Sequence, residues 1–160
     1  MADKDIQLRP IKPEDEEFLY KVYASTRQEE MELVDWNKTQ IEDFLRMQFN
    51  AQHKYYQENY VGSSFDIILK AGIPVGRLYV ARWEKENRII DIALLPEFRG
   101  KGIGSMLLKD IMAEASAKNK SVSIHVEHYN PALRLYKKLN FHKIDDTGVY
   151  FLMEWKKERI

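Results

Sequence analysis

The spacing of apolar residues in the first third of this chain is first strand-like and then helical. The alternation around Ile6 and Leu8 predicts a short first strand. Two helices should follow, joined by a polar linker that carries Trp36. Thr39 and Glu42 have the spacing of a capping box, so we expect the second helix to begin there. The apolar stripes of the two helices are Phe18, Leu19, Val22 and Tyr23, and then Ile41, Phe44, Leu45 and Phe49.

From Ser64 onward the pattern predicts a sheet, interrupted by one strong helix. Alternating residues indicate three strands in an antiparallel meander, which cover 65–69, 73–83 and 88–95. Ile103, Leu107, Leu108 and Ile111 begin an apolar stripe that keeps helical spacing over three turns. A fifth strand, a short helix and a closing hairpin are predicted after it, over 121–126, 131–139, 141–144 and 149–155.

Length and composition narrow the classes of function. At 160 residues the chain has the size of one domain, and we expect 1–160 to form a single domain. Its 25 basic and 25 acidic residues leave no net charge that would attract nucleic acid or a membrane. The absence of cysteine excludes disulfide scaffolds and thiolate zinc sites, and the histidines are too scattered for a metal site. With neither a leader sequence nor a long apolar run, a soluble cytoplasmic protein is expected.

A turn containing three glycines lies between the predicted fourth strand and the long helix. We call residues 99–104 the glycine turn; its glycines stand at 100, 102 and 104, beside Arg99 and Lys101. Free N–H groups and the helix dipole attract anions at such a position, and glycine lets a phosphate approach the backbone. Any strand-to-helix turn can be rich in glycine, but three glycines beside two cations favour phosphate binding. The spacing fits neither a dinucleotide-binding turn nor a nucleotide P-loop.

Two segments of the chain resemble the GNAT N-acetyltransferases. The run from Ile92 to Gly104 is similar to the acetyl-CoA signature of that family, which it matches at Arg99, Gly102 and Gly104. The run from Asn130 to Phe141 is similar to the family's second segment, an asparagine followed by a helix that ends in tyrosine and then a phenylalanine. Asn140 stands where the family more often has glycine, although asparagine tolerates left-handed geometry.

The resemblance, which covers residues 5–156, implies a fold and a co-substrate. It implies an α/β (α+β) fold with a mixed sheet of six to seven strands, splayed fourth and fifth strands, and four helices on both faces. It implies that acetyl-CoA binds with its pantetheine along the backbone of Ile92 and Leu94. Asn130 would contact it from the opposite side. The N–H groups that would bind the pyrophosphate belong to Arg99, Gly100, Lys101, Gly102, Ile103, Gly104 and Ser105.

Transfer of an acetyl group to an amine needs an acid and a proton acceptor. The resemblance implies that Tyr136 contacts the co-substrate and is the acid that protonates the leaving thiolate. From the residues alone, a core aromatic with a satisfied hydroxyl is the favoured interpretation. The family's glutamate on the fifth strand aligns with His125, but an alignment anchored on Tyr136 gives Ile124 instead. Glu127, Asp91 and a water relay are further alternatives for the base.

The acceptor pocket of this fold usually comes from the first two helices, their linker and the last hairpin. Arg27, Glu30, Trp36 and Tyr56 are the residues there that could attract and desolvate a cationic amine. For each of them taken separately, a position that faces water or covers the core is the favoured interpretation. Further unusual residues in the same stretch are Glu29, His53, Tyr55 and Tyr60.

Three functions remain open on the sequence. The first is an acetyl-CoA-dependent N-acetyltransferase that acts on a primary amine of a small molecule or peptide by direct transfer. The second is a non-catalytic acyl-CoA sensor of the same fold, and the third is a protein-binding module whose glycine turn is incidental. Tyr136 and Asn130 favour the first. A homodimer is a further expectation from the family.

Overall fold

A computed structural model describes residues 5–157 of the protein. These residues contain one mixed sheet of seven strands. The strand order is β1-β2-β3-β4-β5-β7-β6. Neighbouring strands are antiparallel except β4 and β5, which run parallel. The strands are β1 Ile6–Pro10, β2 Ser64–Lys70, β3 Ile73–Arg82, β4 Glu86–Leu94, β5 Ser121–Glu127, β6 His142–Asp146 and β7 Tyr150–Trp155.

Within residues 5–157, four helices cover the two faces of the sheet. α1 and α2 pack on one face, where Phe49 and Tyr79 belong to the same buried cluster. α3 and α4 pack on the other, where Leu108 and Tyr136 lie in the larger core cluster. The mixed sheet and the helices on both faces confirm the predicted fold class. The bounds are α1 Glu16–Glu32, α2 Lys38–Asn59, α3 Ile103–Ala117 and α4 Leu133–Lys138, with short 3-10 turns at Pro13–Asp15 and Pro96–Phe98.

The predicted start of the second helix is wrong. Asn37 is the N-cap: its Oδ1 accepts from the N–H of Gln40, and Gln40 Oε1 accepts from the N–H of Asn37, both at 2.9 Å. These two bonds form a reciprocal capping box, which satisfies two N–H groups that a helix start leaves unpaired. Thr39 and Glu42 therefore lie inside α2.

β4 and β5 pair along only part of their length. Their parallel pairing runs from Glu86 and Ser121 to Ile89 and Ile124. Beyond Ile89, β4 stays bonded to β3, while β5 stays bonded to β7. The two strands consequently separate, which confirms the predicted splay; we call this opening the β4–β5 gap.

Candidate active site

The glycine turn presents a run of free N–H groups that begins at Gly100. The N–H of Arg99, which was also predicted to bind the pyrophosphate, instead donates to the Pro96 carbonyl at 3.2 Å. Gly100 and Gly102 have φ values of 73° and 84°, the left-handed conformation that favours glycine. Across the described residues, none of the six N–H groups from Gly100 to Ser105 donates a hydrogen bond to the protein. Gly104 has no positive φ, and a Cβ built on it would meet nothing within 4 Å. The packing of the chain therefore does not require glycine at 104, and the open space beside it suits an anion held by backbone N–H groups.

The two cations of the glycine turn are placed differently. Arg99 Nε donates to the Leu94 carbonyl at 2.9 Å, and its Nη2 contacts Ser25 Oγ at 3.2 Å. Arg99 thus ties the turn to the end of β4 and to α1. Lys101 lies with Nζ 6.0 Å from the centre of the Phe98 ring. Both residues are exposed.

Asn130 and Tyr136 lie after β5. Asn130 Oδ1 accepts from the N–H of Ala132 at 2.9 Å, so its side chain stabilises the turn into α4. Tyr136 is 4% exposed and packs edge-on against Phe141. Asn140 between them has a φ of 70°, the left-handed geometry that asparagine tolerates.

Tyr136 keeps its phenol proton at neutral pH. Burial, and to a smaller extent the charge of Asp91, raise the pKa of Tyr136 above its ordinary value. Its hydroxyl has no hydrogen-bond partner within the described part of the chain, residues 5–157. A ligand in the β4–β5 gap could therefore accept this proton.

His125 and Glu127 lie on β5 and are both engaged by arginines. Arg88 Nη1 lies 3.3 Å from His125 Nδ1, and because arginine can only donate, Nδ1 is the acceptor. Burial and the charge of Arg88 lower the pKa of His125, so the ring is neutral with its lone pair already used. Glu127 Oε1 accepts from Arg27 Nη2 at 3.3 Å.

Of the predicted acceptor residues, Arg27 contacts β5 and Tyr56 contacts β4, whereas Glu30 contacts only Arg27 among the described residues. Arg27 contacts Glu30 at 2.9 Å as well as Glu127, so it links α1 to the end of β5. Tyr56 donates to Asp91 Oδ2 at 3.4 Å. Trp36 instead packs edge-on against Phe44 of α2 and is 42% exposed. The other residues of that stretch pack elsewhere or face water: His53 stacks on Phe49, Tyr60 stacks on Trp83, and Glu29 and Tyr55 are exposed.

A buried ion pair beside the gap is not identified by the sequence analysis. Arg77 on β3 is 2% exposed, and its Nη2 donates to Asp91 Oδ2 at 2.7 Å. The same Nη2 lies 3.0 Å from Gln52 Oε1. Arg77 interrupts the buried run from Val75 to Ala81. A charge in the middle of an otherwise apolar strand is the signal that could have revealed the pair.

Two further features are absent from residues 5–157. Among them there is no helix long and apolar enough to cross a membrane. The described residues also contain no group of three or more His, Cys, Asp or Glu side chains that could hold a metal ion.

Comparison with known proteins gives one family and several similar folds. Residues 62–143 match the family model described as an acetyltransferase (GNAT) domain. The matched residues include the glycine turn and the segment from Asn130 to Phe141. An N-alpha-acetyltransferase of Saccharolobus solfataricus is 36% identical over 71 residues. That segment is 42% of this chain and 42% of the relative, so the match spans less than half of either protein.

Two solved structures share the fold over nearly their whole length. PaiA N-acetyltransferase from Thermoplasma acidophilum, in complex with coenzyme A, has a TM-score of 0.71 at 21% identity, with 95% of this chain and 99% of that chain covered. Arabidopsis thaliana Naa50, in complex with the bisubstrate analogue CoA-Ac-MVNAL, has a TM-score of 0.65 at 19% identity, with 96% and 99% covered. At 21% and 19% sequence identity, the comparison with these two structures shows a similar fold and no more.

Proposed function

The chain belongs to the GNAT acetyltransferase family, and from that premise we propose that it transfers the acetyl group of acetyl-CoA to a primary amine of a small molecule or peptide. The observation that carries the proposal is the run of free N–H groups from Gly100 to Ser105 next to the β4–β5 gap. Support also comes from the similar folds that hold coenzyme A in the Thermoplasma protein and a CoA-linked peptide analogue in the Arabidopsis protein.

The residues around the gap fit acetyl-CoA. In this proposal the N–H groups of residues 100–105 bind the pyrophosphate, and Lys101 adds positive charge. The pantetheine runs along β4 at Ile92 and Leu94, and Asn130 lies on the other side. Because Arg99 already bonds to the Leu94 carbonyl, its role is to fix the turn against β4 rather than to offer a free cation.

The bound co-substrate supplies an activated acetyl thioester, and the protein has to manage protons. When the amine attacks, a C–N bond forms, the C–S bond breaks, and an acceptor that starts as an ammonium loses two protons. One of them ends, in the net reaction, on the departing thiolate. We assign delivery of that proton to Tyr136, whose phenol is protonated at neutral pH and has no partner in the described chain.

The other proton needs an acceptor beside the gap. His125 is poorly suited, because its lone pair already accepts from Arg88 and its pKa is lowered. Glu127 forms an ion pair with Arg27, so an acceptor ammonium would have to share the Glu127 carboxylate with Arg27. Asp91 and a water relay are the remaining candidates.

An acyl-CoA sensor of the same fold is the competing function. A sensor would need the N–H groups of the glycine turn but no proton donor inside the gap. The phenol of Tyr136 is protonated and has no hydrogen-bond partner among residues 5–157, which favours catalysis over sensing.

The test combines calorimetry with a panel of primary amines. We expect acetyl-CoA to bind and at least one amine to release free thiol at a rate that depends on protein concentration. Binding of acetyl-CoA without thiol release from any amine would support the sensor. Absence of binding at micromolar protein would contradict both functions.

A further inference from the structure

Arg77 is a charge that the fold buries almost completely. Its side chain is 2% exposed and its partner Asp91 is 17% exposed. Replacing a buried ion pair by apolar residues is often neutral or stabilising, because desolvation cancels much of the attraction. Stability alone therefore does not explain an arginine in the middle of β3.

An irregularity in β4 determines the direction of Asp91. Tyr79 pairs with Asp91 and Val80 pairs with Ile89, so Ile90 is an extra residue in β4. Such a bulge re-aims the side chains around it. As a result, Ile90 packs in the core cluster beneath α1 and α2, and Asp91 contacts Arg77 and Tyr56 on the same side. The bulge directly follows the last pair of β4 with β5, so Asp91 stands at the entrance of the gap.

The two oxygens of the Asp91 carboxylate have different surroundings. Oδ2 accepts from both Arg77 Nη2 and the Tyr56 hydroxyl, at 2.7 Å and 3.4 Å. Within residues 5–157 no group donates to Oδ1, and Oδ1 is not among the fully buried unpaired atoms. One oxygen is thus held by the protein, and the other is left for a ligand.

Among the described residues, the other ionisable groups near Asp91 make no hydrogen bond to Oδ1. Tyr79 on β3 and Tyr136 on α4 both feel its charge, and burial raises the pKa of each, so both remain neutral at pH 7. Arg27 of α1 and Glu127 of β5 pair with each other.

We propose that Arg77 and Tyr56 are positioning residues that hold Asp91 by Oδ2, so that Oδ1 receives the acceptor ammonium and accepts one of its protons. This inference rests on the proposed acetyl transfer. In the step, an N–H bond of the ammonium breaks, an O–H bond forms at Oδ1, and the nitrogen lone pair becomes free to attack the thioester carbon. Asp91 then returns its proton to solvent.

The experiment compares acceptors that differ in charge. An amine that is active in the panel is paired with its analogue that carries a trifluoromethyl group on the carbon bearing the nitrogen, and this analogue is largely neutral at pH 7. We expect Asp91→Asn to lower kcat/KM for the charged amine about 100-fold. Arg77→Lys and Tyr56→Phe should each lower it by roughly tenfold, because each weakens one bond to a charged group. All three variants should lose far less activity with the fluorinated amine.

Arg82→Lys is the matched control, since Arg82 lies on the same strand and pairs with Glu114 of α3 at 2.7 Å, away from the gap. It should keep the wild-type ratio between the two amines. Acetyl-CoA affinity by calorimetry should stay within about twofold of wild type in every variant, since none of the changes touches the glycine turn. Tyr56→Phe removes only one long hydrogen bond, so it remains informative if Arg77→Lys does not fold.

The outcomes separate this inference from the function on which it rests. Equal losses with both amines, or wild-type activity in Asp91→Asn and Tyr56→Phe, would overturn the positioning role while leaving acetyl transfer intact. A wild-type protein that binds acetyl-CoA but acetylates no amine would overturn the proposed function, and the inference with it.

Discussion

At the scale of single residues, Tyr136 has the most direct chemical role in the proposed reaction. We expect Tyr136→Phe to lower kcat about 100-fold or more, because a positioned proton donor contributes roughly 10²–10⁴ to a rate. Its affinity for acetyl-CoA should change little, since phenylalanine preserves the packing against Phe141. The measurement is thiol release with saturating amine, beside calorimetry of acetyl-CoA. Full turnover by the variant would remove Tyr136 from the mechanism.

The sequence identified Tyr136 as the candidate acid but did not decide among the candidate bases. The contacts that decide among them come from residues far away in the chain. His125 and Glu127 were sequence candidates, yet the arginines that occupy them, Arg88 and Arg27, lie 37 and 100 residues away in the chain. Contacts over such separations depend on the finished fold. The same holds for Arg77 and Asp91, which the bulge at Ile90 brings onto one side, against the alternation that a regular strand would predict.

At the scale of elements, the start of α3 provides a clean test of the anion site. Gly104→Val should leave the fold intact, because the position has open space and no left-handed φ. It should weaken acetyl-CoA binding about tenfold to a hundredfold, since a branched side chain would keep phosphate oxygens from the N–H groups. The same change at Gly102 would be ambiguous, because its φ of 84° strains any other residue.

Ala113→Val is the control for this change, since it places the same side chain at an exposed position of the same helix. It should bind acetyl-CoA like wild type. Undiminished affinity of Gly104→Val in calorimetry would contradict a pyrophosphate at the glycine turn.

The sequence predicted that α2 exists but not the residue at which it begins. Apolar spacing predicted the helix itself, as it predicted the seven strands, because these patterns follow from burying one face. The first residue was misassigned, because Asn37 with Gln40 and Thr39 with Glu42 both fit the spacing of a capping box. Only the hydrogen bonds decide between two overlapping candidates.

That correction gives a stability prediction with a built-in control. Asn37→Ala should lower the free energy of unfolding by about 1 kcal/mol, because the Gln40 N–H at the start of α2 loses its acceptor, Asn37 Oδ1. Thr39→Ala should change it much less, since Thr39 is exposed inside the first turn. Denaturant unfolding of both variants measures the difference. A larger loss for Thr39→Ala would restore the sequence-based capping box.

At the scale of the whole molecule, the β4–β5 gap joins parts of the chain that are far apart in sequence. α1 reaches the end of β5 through Arg27 and Glu127, and α2 reaches β4 through Tyr56 and Asp91. The glycine turn and α4 lie on the other face of the sheet. The sheet and the helices on both of its faces all contribute residues around the gap. We therefore propose that the chain unfolds as a single domain and that a ligand in the gap stabilises the whole domain.

Thermal unfolding tests this proposal directly. We expect one transition, shifted upward by acetyl-CoA. Ligand at 100 times its Kd stabilises the folded state by about 2.7 kcal/mol, which for a chain of this size corresponds to roughly 5–10 °C in Tm. Gly104→Val should unfold near the wild-type temperature without ligand but shift little when acetyl-CoA is added, because its binding is weakened. Two transitions, only one of which responds to acetyl-CoA, would instead show that the gap belongs to an independent part of the chain.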